Sequence, residues 1–258
     1  MRDFLEDIGD RPDPIASARA AQRVPLPKRF YKSVSVGEAE AGYGVLLDGR
    51  SVRTPARAVL AVASRALAED LAAEWEAQER EINPHAMPLT RLVNVALDGV
   101  ARDPEAARVE ILGYAGSDLL CYRAEGPERL VERQGAAWDP ILARFRDDVG
   151  ARFFLSAGIR HVAQPAETLA RVAELIPTDP LQLAGMVSMT GLTGSALLSI
   201  AVAQGWISPE AAWSAAHVDE DWNRDLWGED EEATARRAAR AMEMMAAARL
   251  FAREAPPV

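Results

Sequence analysis

The spacing of apolar positions changes near residue 64. Before it, Lys32-Ser-Val-Ser-Val-Gly37 alternates with the two-residue period of a half-buried strand. Val45-Leu46-Leu47 and Arg50-Ser-Val52 then flank Asp48-Gly49. Asp-Gly between two apolar runs predicts a hairpin with a type I′ turn, which needs positive φ at both central residues. Thr54-Pro55 ends that strand, and Ala58-Val-Leu-Ala-Val62 supplies another. Residues 1–28 read as an arm, a weak helix interrupted by Pro12 and Pro14 and closed by Pro25 and Pro27.

From Ser64 onward the period is helical almost throughout. Ser64 can cap a helix in which Leu67, Leu71 and Trp75 face inward while Glu69, Glu76 and Glu79 face away. Pro84 to Pro88 breaks the chain, and Leu89, Leu92, Val93, Ala96 and Val100 form the stripe of a second helix. Pro104 opens a third, through about Ala115. Glu128 to Asp148 predicts one or two more, interrupted near Gly135, and Ala166 to Ile176 a further one. Arg152-Phe-Phe-Leu-Ser156 is the single good late strand. The whole reads as an α+β fold: an N-terminal arm (1–28), a small β-rich α+β domain (29–82) and a larger multi-helical domain (83–258).

Residues 180–209 hold no charge. The run is long enough to span a bilayer, but it contains Gln182, Ser188, Thr190, Thr193, Ser195, Ser199 and Gln204 and lacks flanking Lys and Arg clusters. It therefore reads as buried helical core in a protein not embedded in a membrane, with Gly185, Gly191 and Gly194 allowing close backbone approach. Ser208-Pro209-Glu210 starts the next helix and Gly228 stops it. At 100° per residue, Ala211, Ala215, Val218, Trp222 and Leu226 share the inner face. Trp213, His217, Glu220, Arg224 and Trp227 share the outer one, where Glu220 and Arg224 can pair at i, i+4. Asp230 can cap the last helix, with Ala238, Ala241, Met242 and Met245 turned to the core.

Composition narrows the function. Over 258 residues, 49% hydrophobic and 26% charged, the chain is that of a folded protein. A net charge of −10 argues against nucleic-acid binding, which needs clustered cations. The lone Cys121 can form no internal disulfide and fits a reducing compartment. The acidic N-terminus has neither the apolar run of a secretory signal nor the basic character of a mitochondrial leader, so bacterial cytoplasm is the expected location.

Sites for chemistry are few. No phosphate-binding loop or nucleophile elbow occurs, and Gly42-Tyr-Gly44 lacks the rest of a dinucleotide fingerprint. Cys121 after Leu119-Leu120 reads as a small core residue rather than half of a thiol dyad with His85 or His161. His217 and Asp221 lie one helical turn apart but are short of ligands for a metal. No catalytic residue, cofactor or metal is assigned. The stretch from His217 to Glu232 stands out instead, because tryptophans sit among a dense run of acids. Either another helix of the same chain covers Trp213 and Trp227, or their face is a protein-binding patch. An enzyme using the same acidic cleft, with metal-assisted hydrolysis as its chemistry, is the alternative.

Several stretches, in order, resemble an ATP synthase assembly chaperone family, often called Atp-twelve. They are Arg29-Phe30-Tyr31-Lys32, Leu47-Asp48-Gly49-Arg50-Ser-Val52-Arg53-Thr54-Pro55, Ala73-Glu-Trp75-Glu-Ala-Gln78 and Met87-Pro88-Leu89-Thr90-Arg-Leu92-Val-Asn94. Asp118-Leu-Leu-Cys121-Tyr122, Trp138-Asp139-Pro140 and Trp227-Gly228 with its following acids complete the set. The resemblance implies a small N-terminal α+β part, a larger helical part and no enzymatic activity. It also implies a chaperone that holds the free alpha subunit of the catalytic sector until the beta subunit replaces it. An acid in the C-terminal stretch matters in the family; Glu231 matches best, with Glu229, Asp230 and Glu232 in adjacent registers. Trp213, Glu220, Arg224, Trp227, Glu229, Asp230, Glu231 and Glu232 are the expected partner-binding residues. Eukaryotic members work in the mitochondrial matrix and carry a leader, which this sequence lacks.

Overall fold

The computed structural model describes residues 25–158 and 160–252; the arm expected over 1–28 falls almost wholly outside them. Strand β1 (Val34–Ala39) pairs antiparallel with β2 (Gly42–Leu47), and β2 pairs on its other side with β3 (Arg50–Ser51) and β4 (Ala61–Val62). The Asp48-Gly49 turn forms as expected, with φ of 49° and 78°. The Asp48 carboxylate also gathers the Lys32 and Ser33 amides, which ties the entry of β1 to the turn and holds this acid below the usual carboxylate range.

Helix α1 (Arg65–Glu76) starts where Ser64 Oγ accepts the Leu67 amide, and it packs on β1 and β2. After a short 3₁₀ turn at Pro84–Ala86 comes α2 (Pro88–Val95), extended by a wider π turn over Ala96–Val100. Glu74, reaching from α1, accepts the amides of Leu89 and Thr90 at 2.8 and 2.7 Å and so caps α2 from a distance. Gln78 accepts the Asn83 amide at 2.8 Å. The motif residues of this region are thus joints between two helices.

The helical part comprises α3 (Pro104–Gly116), α4 (Glu128–Arg144), α5 (Ala166–Ala173), α6 (Pro180–Thr193) and α7 (Ala196–Ala203), then α8 (Pro209–Ala216), α9 (Val218–Trp227) and α10 (Glu231–Arg249). Helix α4 runs unbroken through Gly135, against expectation. A mid-helix glycine costs about 1 kcal/mol, which burial of Trp138 and Ile141 one and two turns later outweighs. The uncharged run forms two helices, with Gly194 at φ 69° turning α6 into α7. Among the described residues no helix is long and apolar enough to cross a membrane. Of the three glycines in that run only Gly185 sits at a close approach, where a Cβ would lie 2.9 Å from the Ala247 carbonyl of α10.

Two expectations fail locally. Arg152 to Leu155 forms no strand; the late strand is Ser156–Ala157 (β6), parallel to Tyr122–Arg123 (β5). The Gln164 side chain takes both backbone groups of Phe154, at 2.8 and 2.9 Å, and so occupies the place of a partner strand. On α10 Ala241 and Met245 pack against the larger core as expected, beside the buried Met244 and Ala247, while Ala238 is exposed and Met242 is 59% exposed.

Two apolar cores result. The larger one gathers Ile111, Leu120, Trp138, Phe145, Met186 and Leu198 with the faces of the later helices. The smaller holds the sheet and α1 with Met87, Leu89 and Val93, and also takes in Ala246 and Leu250 from the last turns of α10. The result is the α+β architecture read from the sequence, a small strand-bearing N-terminal region followed by helices.

Candidate functional site

The C-terminal stretch from His217 to Glu232 forms a corner between α9 and α10. Helix α8 begins on a Ser208 Oγ cap with Pro209 in its first turn, as the sequence indicates. It ends at His217, where φ of −112° and ψ of 23° break the helix before α9 starts. That break resets the helical phase, so a single wheel drawn through 209–227 misplaces faces. Trp213 is only 8% exposed and belongs to the larger core, not to an outer patch. His217 is buried beside it, with ring centroids 3.9 Å apart and Nδ1 2.7 Å from the Trp213 carbonyl. Burial lowers its pKa, so the ring is neutral at pH 7 and Nδ1–H donates to that carbonyl. Leu226, assigned to the inner face, is 57% exposed, and Trp222 is half-buried. Of the two outer tryptophans, then, this chain covers Trp213 and leaves Trp227 at 84% exposure.

Polar side chains hold α9 in place. Gln134, buried on α4, donates to Asp219 at 2.8 Å and accepts the Ala124 amide at 2.9 Å. Arg133 reaches Asp225 at 2.7 Å. Trp138 Nε1 donates to the Ala215 carbonyl at 2.7 Å, with the Arg123 guanidinium 5.1 Å from its ring and also bonded to Asp139. Asp221 is clasped by Arg237 of α10 and by Arg224 at 3.2 Å; the cations keep its pKa low although burial opposes them. The expected Glu220–Arg224 pair is absent. Arg224 turns to Asp221 and, at 3.7 Å, Glu229, whereas Glu220 faces His217 Nε2 at 3.7 Å.

Gly228 adopts φ 89° and ψ −178°, a conformation essentially reserved for glycine. It swings the chain from α9 to Asp230, whose carboxylate caps α10 by accepting the Ala233 amide at 2.7 Å. The four expected acids thus divide. Asp230 is a cap, Glu232 pairs with Arg236 at 2.6 Å, Glu229 faces Arg224, and Glu231 has no ion pair among the described residues. Between α9 and the exposed first turns of α10 lies a groove of about 510 Å³, with His217 and Trp227 on its walls and Arg236, Arg237 and Arg240 along one side. The arginines went unnoticed in the sequence, although their i, i+1, i+4 spacing puts them on one side of α10.

Among the described residues no three His, Cys, Asp or Glu side chains lie together as metal ligands, and Asp221 and His217 are both engaged elsewhere. Cys121 is buried in the core, and burial pushes its thiol up to about 12. Trp227 offers on the order of 150–250 Å² for burial, roughly 4–6 kcal/mol at about 25 cal/mol per Å² if a partner covers it fully.

Comparison with known proteins places these features. The family model described as ATP12 chaperone protein matches residues 28–146. The crystal structure of Atp12 from Paracoccus denitrificans superposes with a TM-score of 0.80 at 36% identity, covering 87% of this chain and 97% of that one. The Atu1473 protein of Agrobacterium tumefaciens superposes with a TM-score of 0.85 at 48% identity, covering 94% and 91%. The mitochondrial protein atp12 of Schizosaccharomyces pombe is 24% identical over 232 residues, 84% of this chain and 80% of that protein. Fold and sequence together define a chaperone. The chain belongs to the ATP12 family, whose work is ATP synthase assembly.

Proposed function

We propose that this chaperone binds the free alpha subunit of the ATP synthase catalytic sector, keeps it from aggregating, and yields it to the beta subunit by competition. Trp227 carries the reading: a tryptophan left 84% exposed at a cleft mouth, in a chain that buries Trp138 and Trp213, has the properties of an interface anchor. Glu220, Arg224, Glu229 and Asp230 line the groove with it, the exposed Glu231 and Glu232 follow at the start of α10, and together they supply charge that steers and orients a partner. The protein acts by binding and not as an enzyme, and bacterial cytoplasm is the location that accords with its bacterial relatives.

Co-expression with the alpha subunit followed by co-purification tests the reading. A complex is expected with free alpha subunit and none with the assembled alpha–beta sector; equal binding to both defeats the competition mechanism. Trp227→Ala should weaken the complex by about 2 kcal/mol, roughly thirtyfold, while changing stability by less than about 0.5 kcal/mol because the ring is exposed. Glu231→Lys should weaken it as well, at a cost of about 0.3–1 kcal/mol in stability because Glu231 lies in the first turn of α10; Glu231→Gln should weaken it less and leave stability nearer wild type. Undiminished binding in Trp227→Ala and Glu231→Lys moves the interface elsewhere.

A further inference from the structure

Three of the stretches that carry the family resemblance converge on a second groove, in the small N-terminal region. Phe30, Tyr31, Leu47, Arg50, Arg53 and Trp75 are among the residues that line it, and it encloses about 620 Å³. Packing explains most of these residues. Tyr31 is buried, donates to the Trp75 carbonyl at 2.6 Å and meets that ring edge-on at 5.9 Å. It does not explain Phe30, which is 73% exposed and touches the fold edge-on against Tyr31, 5.3 Å between centroids. An aromatic held on a rim with most of its ring in water is a surface that gains by being covered.

Charge says by what. The chain as a whole carries −10, yet this groove presents two guanidinium groups against one carboxylate. That carboxylate, Asp48, already accepts bonds from Lys32 and Ser33. Arg50 has no ion pair among the described residues, and Arg53 donates only to the Arg57 carbonyl. The groove runs beside the two-residue strand β3; just beyond it the chain doubles back, with Arg53 bridged to Val59 and the Val52 carbonyl taken by the Leu60 amide. Guanidinium groups without a carboxylate partner favour an acidic ligand, and the exposed Phe30 ring beside them favours an apolar side chain on it.

We propose that this groove binds an acidic peptide segment of a partner, with an apolar or aromatic side chain of the peptide against Phe30 and its carboxylates on Arg50 and Arg53. The surface is separate from the α9–α10 corner, and the proposal does not depend on which subunit that corner engages.

The probe is a fluorescein-labelled eight-residue peptide alternating Glu with Phe and Leu, beside a twin with Gln for Glu, titrated with the full chain and read by anisotropy. The acidic peptide should bind at least tenfold tighter than its twin and lose that advantage in Arg50→Glu/Arg53→Glu. It should retain the advantage in Arg50→Lys/Arg53→Lys, weaken at least threefold in Phe30→Ala, and be unaffected by Trp227→Ala. Equal affinity for both peptides, or an acidic preference that survives the Glu variant, overturns the proposal. So does loss of binding on Trp227→Ala, which would assign the peptide to the other corner. With p-benzoylphenylalanine in place of Phe30, irradiation should couple the peptide to position 30. An adduct to the chain's own residues 1–24 in its stead identifies an internal occupant and also overturns the proposal.

Discussion

Asp118 is a fully buried carboxylate with no ion pair among the described residues. Its oxygens accept the Ser195 hydroxyl at 2.7 Å, the Leu197 amide at 3.0 Å and the Leu120 amide at 3.1 Å. One side chain thereby caps both α7 and the 3₁₀ turn at Leu119–Cys121. Asp118→Ala leaves two buried amides without an acceptor, since the serine hydroxyl can turn elsewhere. At about 1–3 kcal/mol for each stranded group, the loss is about 4 kcal/mol. Urea unfolding should show a lower midpoint at unchanged slope, and Asp118→Asn, which keeps one acceptor oxygen, should lose less. A loss below about 1 kcal/mol in the alanine variant refutes the capping role.

The pH dependence of this residue has a definite sign. Burial outweighs the donors and pushes Asp118 up to about 6 from 3.8. Between those values the folded state binds more protons than the unfolded one, so stability from this group grows as pH falls. It is fully present below about pH 4 and lost as pH rises through about 6. The difference between wild type and Asp118→Asn should therefore widen from pH 7 to pH 4, by at most about 3 kcal/mol at 1.36 kcal/mol per unit. A gap that narrows on acidification refutes the assignment.

Three further outcomes are expected. Gly185→Ala places a methyl 2.9 Å from the Ala247 carbonyl and 3.2 Å from Leu250 Cδ1, so α6 and α10 must part, costing about 1–3 kcal/mol in thermal or urea unfolding. Cys121, buried with its thiol pushed up to about 12, should resist a disulfide reagent at pH 8 in the native protein and react once urea unfolds it. Asp221→Ala and Arg237→Ala should couple by about 0.5–3 kcal/mol in a double-mutant cycle, because the two side chains clasp α9 to α10; additive effects would make the pair incidental.

Much of this molecule is written in local sequence, and the exceptions share a cause. Asp48-Gly49, Ser64, Ser208 and Asp230 act through backbone groups within a few residues, and each behaves as its neighbours dictate. Faces are different, because a helical wheel carries phase only as far as the helix continues. The break at His217 turned Trp213 inward and left Leu226 in solvent, and no residue nearby announces it as glycine or proline would. Arg152 to Ser156 has strand character, but Gln164, ten residues beyond Phe154, took the bonds a strand would have made. Trp227, which the same wheel put on the outer face, is outward in the structure. The groove beside Phe30 was not legible, because three segments separated by up to 45 positions build it.

The last turns of α10 seal the smaller core with Ala246 and Leu250, while Arg249 reaches Asp70 on α1 and Glu243 meets Arg91 on α2. During synthesis, then, the strand-bearing region emerges well before the helices that finish it. Strands β1 to β4 and α1 must wait for more than 150 further residues before their apolar floor is closed, and until then they expose it. A chaperone built this way faces, in its own nascent chain, a brief version of the hazard it exists to prevent in others.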